Sequence, residues 1–166
     1  MESISEAVMI TKTGDKRQSD PQGRGIIANK PLKAGSRYLD PAAQYHAKVD
    51  PPAHLNKSYY IKVEGTYGGY FEIAKEGDGA YKSHTYFLNE ARETNVLVDS
   101  RKPNIRYAHR THRSGASDTR RFEWEVVRDI PEDAELVVEY GGAVGGKGGG
   151  RGAGGGGEVE EPQYCP

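Results

Sequence analysis

The stretch Phe122–Gly142 reads FEWEVVRDIPEDAELVVEYGG, and the rest of the chain can be read outward from it. Glu123-Trp124-Glu125-Val126-Val127 alternates polar and apolar residues, the two-residue period of a half-buried strand. Arg128–Ala134 carries turn chemistry, because Pro131 fixes its own φ and moves Ile130 away from helical backbone. Leu136–Tyr140 is strand-like again, and Gly141-Gly142 ends it. The reading is strand, turn, strand, with Tyr140 closing the last ordered element.

Beyond that tyrosine the composition collapses into glycine. The residues from 143 to 166 cannot offset their ordering entropy with buried surface, so they read as a disordered Gly-rich and acidic tail behind a domain of residues 1–142. A chain of 166 residues with a mean hydropathy of −0.80 holds one domain and a modest core. The net charge of −1 names no partner. Its distribution is less even: Arg101, Lys102, Arg106, Arg110, Arg113, Arg120 and Arg121, with His109 and His112, make a basic stretch before the acidic Glu123–Glu139. Such a stretch is ordinarily a solvated surface. Together with the glycine-rich tail it is also where RNA would bind if the chain binds RNA.

The single cysteine, Cys165, can form neither an internal disulfide nor a cysteine-rich zinc site. No cluster of the five histidines has ligand spacing, so no metal site is expected. No apolar run approaches the roughly 18 residues of a membrane span. The first ten residues, MESISEAVMI, lack the basic and apolar regions of a secretory signal. An intracellular protein, nuclear or cytoplasmic, is the expectation, with no membrane partner.

From the N-terminus, Ala7–Thr11 is a short strand candidate. Gly23-Arg24-Gly25 then precedes the apolar Ile26-Ile27-Ala28, a place where backbone can approach a ligand closely. Pro31–Gly35 is a turn and Ser36–Leu39 is extended. Asp40–Asn56 reads as irregular, with one helical turn near Ala42–Ala47. Ser58–Glu64 and Tyr70–Ala74 flank a glycine turn as a hairpin. Tyr86–Ala91 is a brief apolar patch, Asn95–Asp99 and Asn104–Ala108 are further strands, and His109–Thr119 reads as a polar loop. Eight to ten short strands with few helices predict a mostly β domain.

Three fragments, in order, resemble a SET domain, the fold of protein-lysine methyltransferases. Gly23-Arg24-Gly25-Ile26-Ile27-Ala28 with Pro31–Gly35 is similar to the family's opening GxG segment, strand and turn. Phe87-Leu88-Asn89-Glu90 is similar to its F-I-N-H. Arg128-Asp129-Ile130, Glu135-Leu136 and Glu139-Tyr140-Gly141 are similar to its closing segment. The match covers roughly Val8–Gly142. It implies several short twisted sheets of the β-clip type, with a pseudoknot near the C-terminal end. The sequence departs from the family where Glu90 replaces His and Ala91-Arg92 replaces Ser-Cys. The run Asn89-Glu90-Ala91-Arg92 is similar to the PR-domain branch, some of whose members act through binding. Either Asn95 or Asn104 stands for the family's second Asn; Pro103-Asn104 keeps the dipeptide and is preferred. The family's post-domain cysteines are missing.

The resemblance implies an enzyme that uses S-adenosyl-L-methionine to methylate an exposed lysine of a protein substrate, a histone being one candidate. A lysine enters a narrow channel from one side and the cofactor from the other. Gly23, Arg24 and Gly25 would lie against the cofactor, Asn89 and Glu90 would contact its polar groups, and Tyr140 would serve both cofactor binding and catalysis. Tyr38, Tyr59, Tyr60, Tyr70 and Tyr86 are further candidates for channel walls. The alternative is a SET/PR-like interaction module that has lost catalysis.

Overall fold

The computed structural model describes residues 1–14, 21–65, 68–75, 81–91, 102–114 and 117–140, with backbone alone for residues 112–114 and 117–119. Among them the chain is mostly β, with one α-helical turn, α1 (Ile4–Ala7), two 3-10 turns (Lys57–Tyr59 and His84–Phe87) and ten strands: β1 (Val8–Lys12), β2 (Arg24–Ala28), β3 (Arg37–Asp40), β4 (Gln44–His46), β5 (Tyr60–Lys62), β6 (Tyr70–Glu72), β7 (Asn89–Glu90), β8 (Ile105–Ser114), β9 (Ser117–Val126) and β10 (Val137–Val138). They form four small sheets rather than one: β1-β2, β3-β9-β8, β4-β6-β5 and β7-β10. All pairings are antiparallel except β7 with β10.

The alternation in β9 decides which face meets the core. Phe122, Trp124 and Val126 are buried and pack with Tyr38, Tyr107 and Ile105 from the flanking strands. Phe122 stands 4.9 Å from the ring of Phe71 and 5.3 Å from that of Tyr107. Each such side chain contributes about 1.5–3 kcal/mol on burial. The indole N–H of Trp124 donates to Thr85 Oγ1 (2.9 Å), whose hydroxyl donates to the buried Asp40 Oδ2 (2.5 Å). A core tryptophan is thus satisfied by a 3-10 turn at His84–Phe87 that leads directly into β7.

The stretch that opens the sequence reading does not fold as one hairpin. β9 pairs with β3 and β8, whereas β10 pairs with β7. The turn between them is docked instead onto the start of the chain. Leu32 and Ile130 exchange backbone hydrogen bonds of 2.8 Å, Asp129 accepts from the Ala34 amide (2.9 Å), and Leu136 N donates to Ile26 O (2.9 Å). β10 then lies between β7 and Asn104. Ala91 N donates to Val138 O (2.9 Å), Asn104 N to Val137 O (3.1 Å), and Val137 N to Asn104 Oδ1 (2.8 Å). The C-terminal segment is therefore gripped from both sides.

Two further expectations are corrected. His109–Thr119 is no loop, because β8 and β9 continue as a hairpin out to the Ser114–Ser117 pair. Its polar residues carry no hydrophobic period, so only backbone pairing reveals it. The helical turn near Ala42–Ala47 is replaced by β4, where the ladder to β6 and the Tyr45–Phe71 contact (5.0 Å) override local preference. The strand expected at Asn95–Asp99 and the tail from residue 143 lie outside the described residues.

Candidate functional site

The site is built where three segments distant in sequence meet. Gly23 (φ 74°) turns the chain into β2, and its carbonyl accepts from the amides of Thr13 (2.9 Å) and Gly14 (3.0 Å). Arg24 follows, its guanidinium 4.9 Å from the centre of the Phe87 ring. Gly25 comes next, and its missing side chain matters. A Cβ there would lie 2.7 Å from Asn89 Nδ2, 2.8 Å from Glu135 Oε2 and 2.9 Å from Thr13 Cγ2. Such distances are below any normal contact, so only glycine lets these three groups close over the strand.

Asn89 is completely buried. Its amide nitrogen donates to Glu135 Oε2 (2.9 Å) and to Arg24 O (3.2 Å), with Thr13 Oγ1 at 3.5 Å. Its oxygen, Oδ1, has no hydrogen-bond partner among the described residues. Nearly every buried polar atom in a folded protein is paired, so an open acceptor here points to a donor from outside the described residues. Glu90 stands opposite Val138 in the parallel β7–β10 ladder, with its side chain half-buried. Tyr140 lies just past β10, and its hydroxyl donates to the carbonyl of Leu88, the residue before Asn89. The residue is 36% exposed, so it faces both protein and solvent.

Gly23, Arg24, Gly25, Asn89, Glu90 and Tyr140 are thus brought together. Of the tyrosines expected as channel walls, Tyr86 and Tyr59 border this place and the other three lie elsewhere. Tyr86 packs edge-on to Phe87 (5.1 Å) and beside Tyr59 (5.8 Å), next to the site. Tyr70 stacks on His46 (4.6 Å) and meets Tyr60 edge-on (5.9 Å) on the β4-β6-β5 sheet, and Tyr38 is a core residue opposite Trp124.

Two participants escaped the sequence reading. Glu135 is fully buried, yet in the sequence it is one acid among many in an acidic stretch. Glu135-Leu136 belongs to the closing segment's resemblance, but that reading gives the acid no site role; its other signal is its place between Ala134 and Leu136, where a solvated acid is not expected. Thr13 gave no signal. Asn104 braces the site from behind, donating Nδ2 to Glu135 O (3.0 Å); Asn95 lies outside the described residues.

Neither a protein-family model nor a curated protein matches the chain. Solved structures do. A Plasmodium falciparum protein assigned as a candidate histone methyltransferase is similar at a TM-score of 0.48 and 15% identity, over 85% of this chain and 96% of that one. The SET domain of the RIZ1 tumour suppressor is similar at 0.44 and 13%, over 80% and 68%. The methyltransferase domain of human PR domain-containing protein 2 is similar at 0.40 and 13%, over 83% and 86%.

Proposed function

We propose that this chain is a SET-type protein-lysine N-methyltransferase that uses S-adenosyl-L-methionine. The observation that carries the reading is the packing of the Asn89 amide over Gly25, with Tyr140 bonded to the adjoining Leu88 carbonyl and the buried Oδ1 of Asn89 left as an open acceptor among the described residues. That acceptor suits a ligand with N–H or O–H donors, which the cofactor has in its ammonium, exocyclic amine and ribose hydroxyls. The cofactor supplies an electrophilic methyl group on a sulfonium. The protein's own part is binding and alignment. Asn89 is held rigid by Arg24 O and Glu135, and Tyr140 is held by Leu88 O, so each presents a fixed surface. A substrate lysine must lose a proton from a group whose ordinary pKa is about 10.4, and desolvation beside a cation lowers that value. An exposed lysine on a protein, a histone among the candidates, is the substrate class.

A second reading, an interaction module without catalysis, is favoured by one observation: the space over Gly25 is filled by the chain's own side chains. Methyl transfer from labelled cofactor to a histone and lysate panel separates the two, alongside a thermal shift with S-adenosylhomocysteine. Transfer is expected, and Tyr140→Phe, which frees the ring from Leu88, should lower it by about 10–100-fold. A wild-type chain that neither binds S-adenosylhomocysteine nor transfers a methyl group is the interaction module.

A further inference from the structure

We propose that Glu135 is the positioning residue that decides which way the Asn89 amide faces. The proposal deepens the reading above and rests on it for the identity of the ligand, though not for the geometry.

The two ends of a primary amide have nearly the same shape, so surroundings alone choose between oxygen and nitrogen. Three groups of this chain lie on the nitrogen side of Asn89. Glu135 Oε2 (2.9 Å) and Arg24 O (3.2 Å) belong to a carboxylate and a carbonyl, which accept hydrogen bonds and, in a carboxylate's ionised state, cannot donate. The Thr13 hydroxyl, at 3.5 Å, can serve either end and so selects neither. Of the two selective groups the carboxylate is the nearer, and a charged acceptor makes the stronger bond. A flipped amide would set Oδ1 against both acceptors. Oδ1 is therefore forced to the opposite side, where it stands buried and without a hydrogen-bond partner among the described residues.

Glu135 can impose this because it is itself fixed. Its carbonyl accepts from Asn104 Nδ2 (3.0 Å), the next amide, Leu136 N, donates to Ile26 O (2.9 Å), and its side chain is fully buried. Gly25 gives the carboxylate its room, since a Cβ there would come within 2.8 Å of Oε2. The consequence is selectivity: this corner of the site takes a ligand that presents an N–H or O–H donor and rejects one that presents an acceptor.

The test uses the full-length protein with Glu135→Gln, which keeps the shape but can turn a donor toward Asn89. The side-chain amide protons of Asn89 are followed by NMR, assigned by their loss in Asn89→Ser. In the wild type they should exchange with water about a hundredfold more slowly than a free amide. In Glu135→Gln the exchange should rise at least about tenfold, and S-adenosylhomocysteine affinity should fall about tenfold with the melting temperature little changed. Glu132→Gln, at an exposed acid of the same segment, should leave both within about twofold. Unchanged Asn89 amide exchange in Glu135→Gln overturns the proposal. If that variant does not fold, fast amide exchange in the wild type overturns it instead. A wild type with slow exchange and no affinity for S-adenosylhomocysteine would remove the methyltransferase reading while leaving the positioning role standing.

Discussion

Two glutamates of this small domain are buried to the same degree and answered in opposite ways. Glu123 in β9 is 1% exposed and meets two guanidiniums, Arg37 Nη1 at 3.0 Å on Oε1 and Arg110 Nε at 2.8 Å on Oε2. Glu135 is 0% exposed and meets the neutral amide of Asn89 at 2.9 Å. The first arrangement neutralises charge. Its arginines come from neighbouring strands of one sheet and reach outward to water, with Glu125 and Arg106 extending the network. The second sets a carboxylate oxygen against an amide dipole, at a junction of segments over a hundred residues apart. Glu123 is closed by ion pairs within its sheet; Glu135 orients the Asn89 amide, whose Oδ1 has no hydrogen-bond partner among the described residues. Burial alone does not tell a structural acid from a functional one. The partner does.

The largest effect that would break this contrast is expected at Gly25. Gly25→Ala drives a methyl group into Asn89, Glu135 and Thr13 and should cost about 2–3 kcal/mol in urea unfolding, with loss of cofactor affinity. A variant of wild-type stability would mean that the junction is loose and orients nothing. Next comes the direct exchange of the two acids. Glu123→Gln removes the charge between two partly exposed arginines and should cost about 1–2 kcal/mol, whereas Glu135→Gln should cost less and change ligand binding more. The reverse ranking of stabilities would erase the distinction.

His109 sharpens the same point with the charges inverted. Its ring Nδ1 accepts from Arg120 Nη1 (2.8 Å), so here a cation faces a neutral ring. Burial first, and then the charges of Arg120 and Arg37, push its pKa down from 6.5 to about 3. A folded pKa below the unfolded one means that the unfolded chain takes up the proton first. Stability is therefore intact above pH 6.5 and falls progressively as pH drops toward 3. Urea unfolding at pH 5 should show a loss of about 1–2 kcal/mol relative to pH 7.5 that His109→Gln largely abolishes. A pH response identical in the variant would assign the loss to other groups. The smallest effect belongs to the rim: Arg106→Ala breaks only an exposed pair with Glu125 and should stay within about 0.5 kcal/mol.

Much of this was legible in the residues. The alternation of Glu123–Val127 placed Trp124 in the core, the glycine turns divided the small strands, and Gly25, Asn89 and Tyr140 stood out by residue type and order. What was not legible has a common cause. The hairpin at His109–Thr119 has no apolar period, β4 follows a stretch of helix-tolerant residues, and β10 pairs with β7 instead of β9. Each depends on a backbone partner far away in sequence, and hydrogen bonds between main chains leave no side-chain pattern to read.

The sequence by itself determined the mostly β class, the core face of β9 and the residue types from which the site is made, because local periodicity and turn chemistry are written in neighbouring residues. Only the tertiary structure decided that Glu135 and Thr13 join them, and that Asn89 keeps an open acceptor. Those facts come from long-range packing, in which the absence of a Cβ at Gly25 lets three polar side chains meet inside a low-dielectric interior.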